Sequence, residues 1–142
     1  MDPMEVVSIH QLLARYGHVS DMPPSDLRDE LRKEIFSPDG VLDMTALGLG
    51  RLEGLESMKG FSQASQERQA GAHHMSNVYV YEEDGQTHAQ SKFFIPVGER
   101  WCGGDYHDLL IKGPDGWRIR ERVLEPRWGD WPEPVGILPR PD

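Results

Sequence analysis

A single cysteine, Cys102, occurs in the 142 residues. It excludes an intrachain disulfide, and no Cys pair or Cys/His series has the spacing of a structural zinc site. No window approaches the roughly 20 consecutive apolar residues that span a bilayer, and the start MDPMEVV has neither the basic front nor the cleavable apolar run of a signal peptide. A cytoplasmic protein without membrane attachment is the expectation. Positive charge is scarce too: 15 Lys and Arg stand against 24 Asp and Glu, a net charge of -9. Without a local basic and aromatic cluster, that balance argues against nucleic acid. The glycine-rich stretch GLGRLEG is neither a Walker loop nor a dinucleotide fingerprint, so no cofactor is implied. What is present is 37% hydrophobic and 27% charged residues. That composition and length fit one globular domain over 1–142, large enough to bury roughly two-thirds of its unfolded surface.

Apolar residues Val6, Ile9, Leu12, Leu13 and Tyr16 recur at helical spacing and predict a first helix from Met4 to about Val19. Pro23-Pro24 interrupts the chain, and Ser25 caps a second helix whose apolar face is Leu27, Leu31, Ile35 and Phe36. Ser37-Pro38-Asp39-Gly40 reads as a turn into a short strand, Val41 to Met44, and Thr45 to Gly54 as a loop. Leu55, Met58 and Phe61 predict a short third helix from Leu55 to about Ala64. The chain then alternates in strand fashion through HHMSNVYVYEE, Gln86 to Val97, Gly104 to Lys112 and WRIRERVL, with turns at Asp84-Gly85 and Pro114-Asp115-Gly116. Helices first and hairpins later predict an α+β architecture, a strongly curved antiparallel sheet with helices over its open side and a pocket inside. The proline-rich tail 125–142, with Trp128 and Trp131, reads as an apolar lid or a subunit contact rather than a strand.

Several residues are candidates for chemistry. Asp21 follows the first helix, where it either caps or faces solvent or presents a carboxylate to the mouth of the sheet. His73 and His74 point to opposite strand faces, and an imidazole paired with a carboxylate makes a general base. Asp105 and His107 share one face of the later strand, with Tyr106 and Asp108 on the other. Tyr16 is a core or pocket residue, and Trp101 sits in a loop at the expected rim. Arg118, Arg120 and Arg122 alternate along their strand and read as a solvated or subunit-facing array.

The ordered segments IHQLLARYGHVSD, IFSPDGVLD, HHMSNVYV, DYHDLLIKGPDGWRIRE and EPRWGDW resemble the SnoaL-like or NTF2-like superfamily. Within it they are similar to the scytalone dehydratase group of small lyases, over about residues 4–131. The resemblance implies an α+β cone with an internal apolar pocket. It implies that Asp21 orients the imidazole of His73, which takes a substrate proton, and it prefers His73 over His74 because Asn77 follows four residues later. On this reading His107 or water stabilises charge or protonates the leaving oxygen, and Met44, Asn77, Val97 and Asp105, with Tyr16 and Trp101 from the residue pattern, line the substrate site. Ser20, Met44 and Val97 depart from the group, standing where two tyrosines and a histidine are expected. The implied function is a cofactor-independent and metal-independent lyase, a dehydratase acting on an apolar polycyclic or ketone-like molecule. An isomerase, a polyketide cyclase, or a non-catalytic ligand-binding or assembly domain are the alternatives, and a homodimer or homotrimer is expected.

Overall fold

The computed structural model describes residues 1–64, 71–97, 99–129 and 131, with the side chains of 62–64 and 97 outside that description. Helix α1 (Pro3–Ser20) starts where the Asp2 carboxylate accepts the Met4 N–H and Pro3 occupies a first-turn position that needs no donor. Its apolar stripe buries Ile9, Leu12, Leu13, Tyr16 and Val19. Helix α2 (Asp26–Arg32) is capped by the Ser25 hydroxyl, as its sequence predicts. It ends before Ile35 and Phe36, and it buries Arg28 while Leu27 stays exposed. Strand β1 (Phe36–Met44) takes up those apolar residues instead, and the SPDG segment read as a turn lies inside it, where pairing shifts register between Phe36 and Val41.

A short 3-10 turn (Thr45–Leu47) leads to β2 (Gly50–Glu53), which pairs antiparallel with β1 through the segment read as a loop. Four residues with one half-buried leucine carry no alternation to read. Helix α3 (Leu55–Ala64) follows, then β3 (His74–Glu83), β4 (Gln86–Val97), β5 (Arg100–Gly113) and β6 (Gly116–Gly129). The sheet order is β2-β1-β6-β5-β4-β3. The last four strands form consecutive antiparallel hairpins, but β1 and β6 run parallel, so the curved sheet is mixed. Turn signals between consecutive strands predict only neighbouring hairpins, whereas the β1–β6 seam joins strands far apart in sequence.

Strand β6 continues past Leu124, correcting the expectation that the tail leaves the sheet there: Pro126 and Trp128 pair with Gly104 and Gly103. Pairing of β1 with β6 ends at Val123, so Pro126 lies where no β1 partner requires its missing N–H. The close approach here depends on glycine. A Cβ on Gly104 would lie 2.0 Å from the Glu125 carbonyl oxygen.

Register and burial divide the sheet into two faces. The inner face carries Met75, Ala89, Ser91, Phe93, Tyr106, Asp108, Leu110, Arg122 and Leu124, most of them buried beneath α1. The outer face carries Tyr79, Lys92, Phe94, Asp105, His107 and Glu125. Among the described residues, no helix is long and apolar enough to cross a membrane. Gly104→Ala is expected to cost about 1–3 kcal/mol through overpacking against the Glu125 backbone, measured by urea denaturation. An unchanged midpoint would contradict that packing.

Candidate active site

The end of α1 positions the first functional side chain. The Asp21 N–H closes the helix on the Gly17 carbonyl at 3.1 Å, leaving the carboxylate free to reach across to the sheet. It accepts the His73 backbone N–H through both oxygens, at 3.0 and 2.9 Å, and lies 2.6 Å from His73 Nδ1. A carboxylate so close puts a proton on Nδ1, and in the neutral imidazole of that tautomer Nε2 carries the lone pair. No described residue hydrogen-bonds Nε2. The Tyr16 ring meets the imidazole edge-on, with centroids 6.0 Å apart and planes at 87°. The His73 and Asp21 side chains keep 14% and 23% of their exposure, so the pair is reachable from solvent.

Tyr16 also belongs to a second arrangement deeper on the inner face. Arg122 grips Asp108 with Nε at 2.7 Å and Nη2 at 2.8 Å, and both side chains are fully buried. The guanidinium carbon lies 4.2 Å from the Tyr16 ring centroid and 3.9 Å from that of Tyr106, a cation held between two aromatic faces. Burial pulls the Arg122 pKa down, but Asp108 outweighs it and leaves the group more firmly protonated than an ordinary arginine. Burial likewise pushes the Tyr106 phenol well up, and its ring meets Tyr16 edge-on with centroids 5.7 Å apart. Phe93 stacks on Tyr106 at 4.2 Å.

Placement of the remaining predicted residues separates them by face. His74 points outward as expected, exposed and stacked on Phe94 at 4.6 Å. Asn77 does not share the direction of His73; it is exposed with φ 54° at a β3 bulge between Ser76 and Tyr79. Trp101 is half-exposed beside His74 and Phe94 on the outer face, not at the dyad. Met44 is buried in the core, and the Val97 side chain lies outside the described atoms. From the tail, Trp131 packs edge-on to Phe93 at 6.2 Å; Trp128 is exposed, and residues 132–142 lie outside the described residues.

Asp105 and His107 lie apart from the dyad. They occupy the outer face, opposite the dyad. The fully buried Asp105 carboxylate receives Lys92 Nζ at 2.6 Å and Arg127 Nε at 2.7 Å. Burial alone would raise its pKa; those cations outweigh burial and hold it below the usual carboxylate range. His107 Nε2 pairs with Glu125 Oε2 at 2.8 Å. Asp105, His107 and Glu125 offer three metal-ligand atoms within 4.8 Å of one another. Lys92 and Arg127 already take both Asp105 oxygens, so the cluster is an ion-pair network.

Alternation along β5 separates Asp105 and His107 from Tyr106 and Asp108 without saying which pair faces inward. Arg122 escaped for a related reason. Leu109 pairs with Glu121 and Leu110 with Ile119, so the extra residue Arg120 forms a bulge that reverses the alternation and turns Arg122 inward, away from Arg118 and Arg120. Described residues line an open groove and a smaller cleft. The groove, of about 960 Å³, is bordered by Arg51, Trp117, Arg120 and Glu121. The cleft, of about 300 Å³, separates α2 from α3. Neither is lined by Asp21 or His73.

An α+β architecture with three helices against a curved, unclosed six-stranded mixed sheet is the NTF2-like, cystatin-like fold. A protein of unknown function with a cystatin-like fold from Nostoc punctiforme matches with TM-score 0.72 and 17% identity, over 97% of this chain and 98% of that one. Rv3472, a Mycobacterium tuberculosis protein of unknown function, matches with TM-score 0.72 and 20% identity over 88% and 73%. A candidate scytalone dehydratase from Novosphingobium aromaticivorans matches with TM-score 0.70 and 15% identity over 92% and 89%. The sequence pattern of the SnoaL-like domain matches residues 5–123, and the chain belongs to that family. Its relatives include the uncharacterized proteins Rv2910c of Mycobacterium tuberculosis and Mb2934c of Mycobacterium bovis, each 31% identical over 126 residues that cover 82% of both chains.

Two predictions follow from these ion pairs. Asp108→Asn leaves the buried Arg122 charge without its counter-ion and is expected to cost about 3–5 kcal/mol in chemical denaturation; a loss under 1 kcal/mol would mean that the pair is not buried in solution. The depressed Asp105 pKa contributes stability in full above about pH 4, the unfolded value, and that stability is lost as pH falls through the lower folded value. Asp105→Asn should therefore flatten the acid limb of the stability-against-pH curve, and an identical limb would refute the assignment.

Proposed function

We propose that the chain is a cofactor-independent lyase, a dehydratase that removes water from an apolar, ketone-like small molecule by Asp/His-assisted proton abstraction. The observation that carries this reading is the 2.6 Å contact between Asp21 and His73 Nδ1, with Nε2 unpartnered among the described residues. Asp21 holds the tautomer and stabilises the imidazolium that forms when Nε2 takes a proton. The aromatic residues Tyr16, Phe36, Phe93 and Tyr106 on the interior side suit a flat, mostly apolar substrate. Membership of the SnoaL-like family, which includes polyketide cyclases and dehydratases or isomerases, supports chemistry of this class. His107 has no part in the proposal, because it lies on the other face of the sheet.

Candidate β-hydroxyketones incubated in deuterated buffer provide the test, with product mass reporting water loss and deuterium uptake reporting abstraction of the acidic proton. His73→Ala is expected to lower turnover by roughly 10²–10⁴-fold, and Asp21→Asn to lower it in the same direction while leaving the fold intact. Unchanged turnover in both folded variants would reject the dyad. A rearranged product of unchanged mass would assign isomerisation or ring closure, and binding without deuterium uptake would assign a ligand-binding domain.

A further inference from the structure

Among the described residues, Ser91 Oγ and Arg122 Nη1 on the inner face have no oxygen or nitrogen partner. Ser91 is 1% exposed, and its Oγ makes no hydrogen bond. Arg122 commits Nε and Nη2 to Asp108, while Nη1 meets only the Met75 sulfur, at 4.0 Å. A thioether is a weak acceptor on a flexible side chain, a poor match for a charged N–H donor in a dry interior. Buried donors of this kind call for an acceptor.

Register puts the two groups on the same face of the sheet, on β4 and β6 with β5 between them. Asp108 stands between Ala89 and Arg122, Tyr106 between Ser91 and Leu124, and Met75 opposite Phe93. The contact from Arg122 on β6 to Met75 on β3 therefore crosses β4 between the rows of Ala89 and Phe93, and Ser91 is the inward-facing residue of that interval. His73 lies two residues before Met75. Tyr16 touches both His73 and the guanidinium, so base and donors share one wall.

We propose that Arg122 Nη1 and Ser91 Oγ form an oxygen subsite for the carbonyl of a planar, enolisable ketone, with Met75 as its displaceable cover. This rests on His73 as the base. The carbonyl oxygen takes the place of the Met75 sulfur, and His73 Nε2 removes the adjacent C–H proton. The C–H electron pair becomes the carbon-carbon double bond, and the carbonyl π pair moves onto oxygen, where the Nη1 and Ser91 donors hold the charge. As the carbonyl re-forms, the β-hydroxyl leaves with the proton carried by His73. Substrate loses one water and the imidazole returns neutral. Asp108 and the two tyrosine rings fix the guanidinium plane, so the donors need no reorganisation as charge develops.

The probe is 4-nitrophenol, an aromatic ring whose oxygen carries the same developing charge and whose phenolate absorbs at longer wavelength than the phenol. At a fixed pH just below its free pKa, binding to the wild-type chain should raise the phenolate fraction. Ser91→Ala should weaken binding roughly threefold to tenfold, the loss of about one hydrogen bond, and Met75→Ala should tighten it. Arg122→Lys should abolish the spectral shift, judged only where circular dichroism shows a folded chain. Ser91→Ala and Met75→Ala leave every charge in place and decide the matter if it unfolds. His73→Ala should keep the phenolate shift while losing deuterium uptake, so the subsite and the base stand or fall separately. Absence of binding, binding without a phenolate shift, or a shift indifferent to both Ser91 and Met75 would overturn the subsite.

Discussion

The Arg122–Asp108 pair joins the last two strands of the sheet, and through Tyr16 it reaches the first helix. Its guanidinium lies between Tyr16 on α1 and Tyr106 on β5. Tyr16 therefore ties α1 to the sheet one turn before the helix end, where the Asp21 carboxylate meets His73. A buried ion pair is weak evidence of net stability, because the cost of removing two charges from water offsets much of their attraction. Its contribution is geometric: the bidentate contact fixes the guanidinium plane between β5 and β6, and the Tyr16 ring of α1 packs against that plane.

Asp21 shows how the fold turns this placement into a site. Its backbone ends the helix, and its side chain accepts one backbone and one side-chain donor from His73. The same residue thus caps an element and orients an imidazole. The dyad lies on the inner side of the cone, while Asp105, Lys92, Arg127, His107 and Glu125 make an ion-pair network on the outer side. The two polar systems lie on opposite faces of one sheet, and the inner one carries the Asp21–His73 contact.

Most of the elements are legible from spacing. The stripe of α1, the Ser25 cap, the third helix and the four late strands follow from periodicity and turn residues alone, because each is specified by local contacts. The misreadings have local causes as well. SPDG has the composition of a turn but lies within β1, between the β6 pairs at Phe36 and Val41 where the register shifts. GRLE is too short to alternate visibly. Pro126 argues against a strand unless one knows that β1 stops pairing before it.

The sequence by itself determined the α+β order, the NTF2-like architecture through its ordered segments, and Asp21 with His73 as a candidate pair. Only the tertiary structure decided which face of β5 looks inward, that β1 runs parallel to β6, and that Arg122 is a core residue rather than a solvated one. Alternation has a period of two and defines two faces without labelling either, and one inserted residue at Arg120 exchanges them. Which face is inside depends on where α1 packs, a contact between distant segments that no local pattern carries.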